Sequence, residues 1–218
     1  MKIYLSLLFL VLLGFSCTHS NTNTKDANKP MEMAADDFTY LEDYLSIKNR
    51  SDLLVLFGEE AVADDTSWYA EGTEMFLSSQ LENPQNKQVI SFVWGENMEL
   101  LFIEAPFAIY DEDYILIREQ RIESSSGLFT GMSLNELREW NEDEFEFYGF
   151  SWDYEGTIVA DAASKIMQCP VSFNLSLSYD SYTGGDELTG DVLLKSEDSL
   201  VQAAPIYIDQ LTLPAVEF

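Results

Sequence analysis

Apolar residues recur along this chain in two rhythms. Val171-Ser-Phe-Asn-Leu-Ser-Leu177 alternates apolar and polar positions, the period of a strand with one wet face. Runs of the same β-branched and aromatic character lie at 89–94, 99–103, 114–118, 157–159 and 206–213. Elsewhere the apolar spacing lengthens to three or four. Leu134, Leu137 and Trp140 make a narrow stripe, and Ser133 with Glu136 has capping-box spacing in front of it. Leu53, Leu56 and Phe57 make a similar face, with Ser51 as the expected cap. A preceding helix is expected at 37–45, with Phe38, Leu41 and Leu45 on one side. Asn97 and Asp111-Glu112-Asp113 fall where turns should join strands. The pattern predicts an α+β fold of short helices docked on antiparallel sheet.

The pattern also repeats. Ser67-Trp68-Tyr69-Ala70-Glu71-Gly72-Thr73 returns as Ser151-Trp152-Asp153-Tyr154-Glu155-Gly156-Thr157, identical at five of seven positions. Each copy follows a capped apolar stripe and precedes strand-like runs. This predicts a tandem diverged repeat of short helix plus antiparallel sheet, over 36–123 and 124–218.

The first residues have a different character. Met1-Lys2 precedes an apolar run from Ile3 to Phe15, then Ser16-Cys17. The run falls short of the roughly 20 residues that span a bilayer. It resembles a bacterial lipoprotein signal, with 1–16 removed and Cys17 as the lipidated N-terminus. Two or more acyl chains anchor stably, because each buried methylene contributes about 0.8 kcal/mol. The segment 17–35, rich in Ser, Thr, Asn and Lys over 18–30, then reads as the lipidated cysteine and a flexible tether holding the body roughly 20 Å from the membrane. Thr18-His19-Ser20-Asn21 lacks the acidic run of many surface-exported lipoproteins. By resemblance, that favours the periplasmic face of the outer membrane.

Charge narrows the partners. A formal net charge of −28 over 218 residues repels nucleic-acid phosphates and anionic headgroups. It solubilises the surface and leaves a cationic partner or divalent metal as charge-compatible ligands.

The stretch Gly131-Met-Ser-Leu-Asn-Glu-Leu137, followed by Phe145-Glu-Phe-Tyr-Gly-Phe-Ser-Trp-Asp-Tyr-Glu-Gly-Thr157, resembles a family of uncharacterised Bacteroidota envelope proteins. It departs from that family's pattern at Asn141-Glu142 and at Ser151. The resemblance covers 40–218; it implies an envelope location and carries no activity. More distantly, the Gly-Met-Ser helix start is similar to small outer-membrane assembly lipoproteins and β-lactamase-inhibitor proteins. Both are helix-plus-sheet modules that bind proteins, an analogy at the level of fold.

Catalytic constellations are scarce. The single histidine, His19, lies in the tether, so the body lacks a Ser-His-Asp or Cys-His arrangement. With Cys17 lipidated, Cys169 has no disulfide partner, and it reads as a small buried hydrophobe. Calcium is the metal that the acidic loops 111–113 and 180–191 suit, although neither has regular calcium-loop spacing. Glu71 and Glu155, at equivalent places beside Trp68 and Trp152, are the candidate pair for a carboxylate-dependent hydrolase with a sugar platform. The motif also has a purely structural reading, with Trp in the core, Gly at a turn and Thr opening a strand. That reading explains two copies, whereas catalysis needs one.

Three functions fit. The first is a non-catalytic protein-binding or scaffold module, with Trp68, Glu71, Phe147, Tyr148, Trp152, Tyr154 and Glu155 as candidate contacts. The second is a structural envelope lipoprotein without a specific partner. The third is the hydrolase. An exposed aromatic patch distinguishes the first from the second.

Overall fold

A six-stranded antiparallel sheet organises the chain, in the order β1-β2-β3-β4-β11-β9. Its strands are β1 (Val62–Tyr69), β2 (Glu74–Glu82), β3 (Val89–Trp94), β4 (Leu100–Pro106), β9 (Ser172–Leu177) and β11 (Ile206–Pro214). A two-stranded hairpin pairs β5 (Ala108–Tyr110) with β6 (Leu116–Glu119). A three-stranded sheet orders β10 (Leu193–Lys195), β7 (Glu146–Tyr148) and β8 (Ile158–Val159). The helices are α1 (Arg50–Phe57), α2 (Leu134–Asn141), α3 (Lys165–Gln168) and α4 (Ser199–Ala203). These come from a computed structural model describing residues 38–70 and 72–215. The signal, Cys17, the tether and Glu71 lie outside the described residues.

Alternation decides which sheet face is dry. Phe92 faces Ile103, Leu81 faces Ile90 and Leu211 faces Ala105, and all six are buried. Leu53 of α1, Leu134 and Leu137 of α2 and Phe147 of β7 join the same continuous core. The helices and the small sheet therefore cover one face of the large sheet. The other face carries Ser91, Phe102, Glu104, Gln210, Thr212, Asn174 and Ser172 at alternate positions.

The α+β class is as expected. The capping box of α2 forms: the Glu136 N–H donates to the Ser133 hydroxyl, and the Ser133 N–H donates back to the Glu136 carboxylate. For α1 the cap is Asn49 rather than Ser51, because the Asn49 side chain accepts from the N–H of Asp52. The described part of the 37–45 helix is a 3-10 helix at Leu41–Ser46. Sequence 114–118, expected as a sheet strand, supplies β6 of the separate hairpin. Strands β9 and β11, from the second half, complete the sheet begun by β1 to β4 in the first. The described residues belong to one compact unit.

The two motif copies share their ends and differ in their beginnings. Gly72 (φ +79°) and Gly156 (φ +65°) both take the left-handed conformation, and β2 and β8 start directly after Thr73 and Thr157. Ser67-Trp68-Tyr69 ends strand β1, whereas 151–156 is a run of turns and bends. The expectation that both tryptophans sit in the core is corrected: Trp68 is 60% exposed and Trp152 is 61% exposed.

Candidate protein-binding surface

The residues between Ala108 and Glu119 make a self-contained ribbon. The Asp111 carboxylate accepts from the N–H of Asp113 at 3.0 Å and of Ile115 at 2.8 Å. The Asp111 N–H donates to the Ile115 carbonyl at 3.0 Å, and the Tyr114 N–H donates to the Asp111 carbonyl at 3.0 Å. Tyr114 takes φ +58°, the left-handed residue that lets the loop close. An aspartate that satisfies nearby backbone donors is well suited to such a turn.

The base of the ribbon is anchored. Gln120 donates to the carbonyls of Val89 at 3.0 Å and Pro106 at 2.7 Å. The Phe107 N–H donates to the Asp209 carbonyl at 2.6 Å. Arg118 reaches the Lys87 carbonyl. Beyond this base the ribbon faces water. Tyr110, Tyr114, Ile115, Leu116 and Ile117 are all exposed, Tyr114 to 88%. Leu116 and Ile117 point to opposite faces because strand side chains alternate, so both faces are wet and apolar. A two-stranded ribbon without a covered face is marginal alone, so its preorganisation comes from the turn and the anchored base. Asp111, Glu112 and Asp113 put three exposed carboxylates at its tip.

A second apolar stripe leaves the core along the β1–β2 hairpin. Leu77 stands opposite buried Trp94, and Met75 stands opposite Trp68 on the same face. Leu77, Met75 and Trp68 are each more than half exposed. The hairpin end thus carries a row of large apolar groups past the last residue that covers them.

The remaining sequence-derived candidates separate. Trp152, Tyr154 and Glu155 lie exposed in the 151–157 turns, and the Tyr154 ring packs on Tyr148 at 5.2 Å between centroids. Ser151 shares a short hydrogen bond with Tyr179. Phe147 is withdrawn as a contact residue: it is 0% exposed, packed between Phe145 and Phe150 in the core. The Gly156 turn packs on Leu175 of β9, at the opposite end of the strand order from β1 and Trp68. The two motif copies therefore do not assemble into one site. Cys169 is half-buried at the margin of the core. Among the described residues, no group of three or more His, Cys, Asp or Glu side chains gathers to hold a metal.

Sequence reasoning missed the exposed ribbon. Its signal was present in Tyr114-Ile-Leu-Ile117, four consecutive large apolar residues against the three carboxylates of 111–113. No family model matches this chain, and no curated protein or solved structure is detectably similar to it.

Proposed function

We propose that the folded body is a non-catalytic protein-binding module, held at a bacterial envelope membrane by lipid on Cys17. The observation that carries this is the anchored ribbon with five exposed large apolar side chains and three carboxylates at its turn. An apolar surface offered to water in an otherwise acidic chain is the ordinary mark of a docking site. Its chemistry calls for a partner with an apolar pocket rimmed by Lys or Arg. An anionic bilayer repels the tip, and a second copy would bring two acidic tips together. The two Trp motifs are read as diverged copies, supported by the shared left-handed glycine and the strand that follows each. By the tether residues, the module faces the periplasm from the outer membrane.

The test places a photo-crosslinking amino acid at Tyr114, with exposed Val55 on α1 as the control position, in lipidated protein in cells. The expected result is one stoichiometric adduct at Tyr114 that is absent at Val55. The purified partner should then lose at least about tenfold affinity toward Glu112→Lys/Asp113→Lys, since reversed charge at a complementary rim costs binding. Identical adducts at both positions, or none at Tyr114, would overturn the proposal.

A further inference from the structure

The outer face of the six-stranded sheet is concave at one corner. Tyr69 on β1 and Glu104 on β4 are three strand spacings apart in sheet order, about 14 Å in a flat sheet. Yet the Tyr69 hydroxyl donates to the Glu104 carboxylate at 3.0 Å, and the rings of Tyr69 and Phe102 meet edge-on at 5.4 Å. The β1–β2 hairpin end therefore curls over this face. Beneath it lies a cleft of about 480 Å3, lined by Tyr69, Phe102, Glu104, Asn174, Gln210 and Thr212, among others.

We propose that this cleft is a ligand site, separate from the ribbon, that takes a short neutral saccharide. Four properties of the lining point there. Tyr69 and Phe102 supply flat apolar surface, which suits the C–H face of a pyranose. Asn174, Thr212 and Ser172 supply both donors and acceptors, which match vicinal hydroxyls. The volume falls in the range of small-molecule pockets, about 300–1,000 Å3. Among the described residues no Lys or Arg lines it, and the chain is strongly acidic, so an anionic ligand is disfavoured.

Strand addition is closed to a peptide on the cleft floor, where β4 and β11 are paired on both sides; the free ladder groups of this sheet lie along its edge strands β1 and β9. Glu104 is fixed from both sides, by Tyr69 and by the Gln210 amide at 3.0 Å. Burial raises its pKa, and those two hydrogen bonds lower it.

The experiment is calorimetric titration of the full-length chain with maltose, cellobiose, lactose and chitobiose. Sialyllactose and calcium chloride serve as charged alternatives. The expected result is millimolar or tighter binding of at least one neutral disaccharide, weakened about tenfold or more by Asn174→Ala and by Glu104→Gln. Asn174 is exposed, so its variant should keep the native circular dichroism and melting temperature. Ile115→Ser, on the ribbon, should leave the titration unchanged. Absence of any neutral binding, binding indifferent to both cleft variants, or preference for sialyllactose or calcium would overturn the proposal.

Discussion

Tyr69 and Glu104 tie the edge of the outer face to its middle through a 3.0 Å hydrogen bond that links the first and fourth strands of the sheet. Burial pushes the Glu104 carboxyl above its usual range, while the Tyr69 and Gln210 hydrogen bonds pull it back. The Tyr69 hydroxyl is itself pushed up by burial and by the neighbouring carboxylate. Removing either partner should be visible in both stability and titration.

For Glu104 the folded protein binds the proton more tightly than the unfolded chain, whose carboxyl titrates near about 4.3. Its ionisation therefore costs stability as pH rises from the unfolded toward the folded pKa, and the cost is complete above the latter. The stability of Glu104→Gln relative to the native protein should accordingly improve as pH rises above about 4. Tyr69→Phe should cost about 1–2 kcal/mol and raise the Glu104 pKa further. Urea unfolding across pH, with carboxyl carbon NMR of Glu104, measures both; a pH-independent difference for Glu104→Gln would contradict the assignment.

Glu42 carries the opposite sign. Burial raises its pKa, but hydrogen bonds from the Ser124 hydroxyl at 2.6 Å and from Ser125 at 2.8 and 2.9 Å outweigh it, and the net shift is downward. That stabilisation is fully present above the unfolded pKa and is lost as pH falls toward the folded one. Glu42→Gln should cost about 1–2 kcal/mol at pH 7, and the difference should shrink below about pH 4. Denaturant midpoints at pH 7 and pH 3 test this, and an undiminished difference at pH 3 would refute it.

The paired motif glycines make a contrast. At Gly72 an added Cβ meets nothing within 4 Å, so Gly72→Ala should cost only the left-handed backbone penalty of about 1–2 kcal/mol. At Gly156 the same Cβ would lie 2.0 Å from the Leu175 carbonyl oxygen, inside the β9 backbone. Gly156→Ala should cost at least about 3 kcal/mol, in the range of severe steric defects. Equal melting temperatures for the two variants would show that the turn does not press on β9.

Aromatic residues that look alike in sequence should behave differently. Trp68→Ala and Trp152→Ala remove exposed rings and should change stability by less than about 1 kcal/mol. Phe147→Ala empties a fully buried site and should cost about 3–5 kcal/mol. Chemical unfolding of the three variants decides between surface and core roles. A large loss at either tryptophan would mean that its ring is covered in solution.

What the sequence determined by itself was local. The Ser133–Glu136 capping box, the Leu134 and Leu137 stripe, strand β3 and the alternation of β9 are written in neighbouring residues. Each follows from backbone hydrogen bonding and side-chain period. Strands β1 and β2 were not legible. Val62-Ala-Asp-Asp-Thr-Ser67 is polar on both faces, and only its pairing with β2 makes it a strand.

Tertiary structure alone decided which aromatics are dry. Phe147 and Trp152 both lie in an aromatic run, but β7 turns the first into the core, and the turns at 151–156 leave the second in water. It also decided that Glu104, an acidic residue in an otherwise apolar strand, would meet Tyr69 from the far hairpin. Sheet order and curl are set by long-range pairing and by burial of the whole inner face, and no short window of sequence contains either.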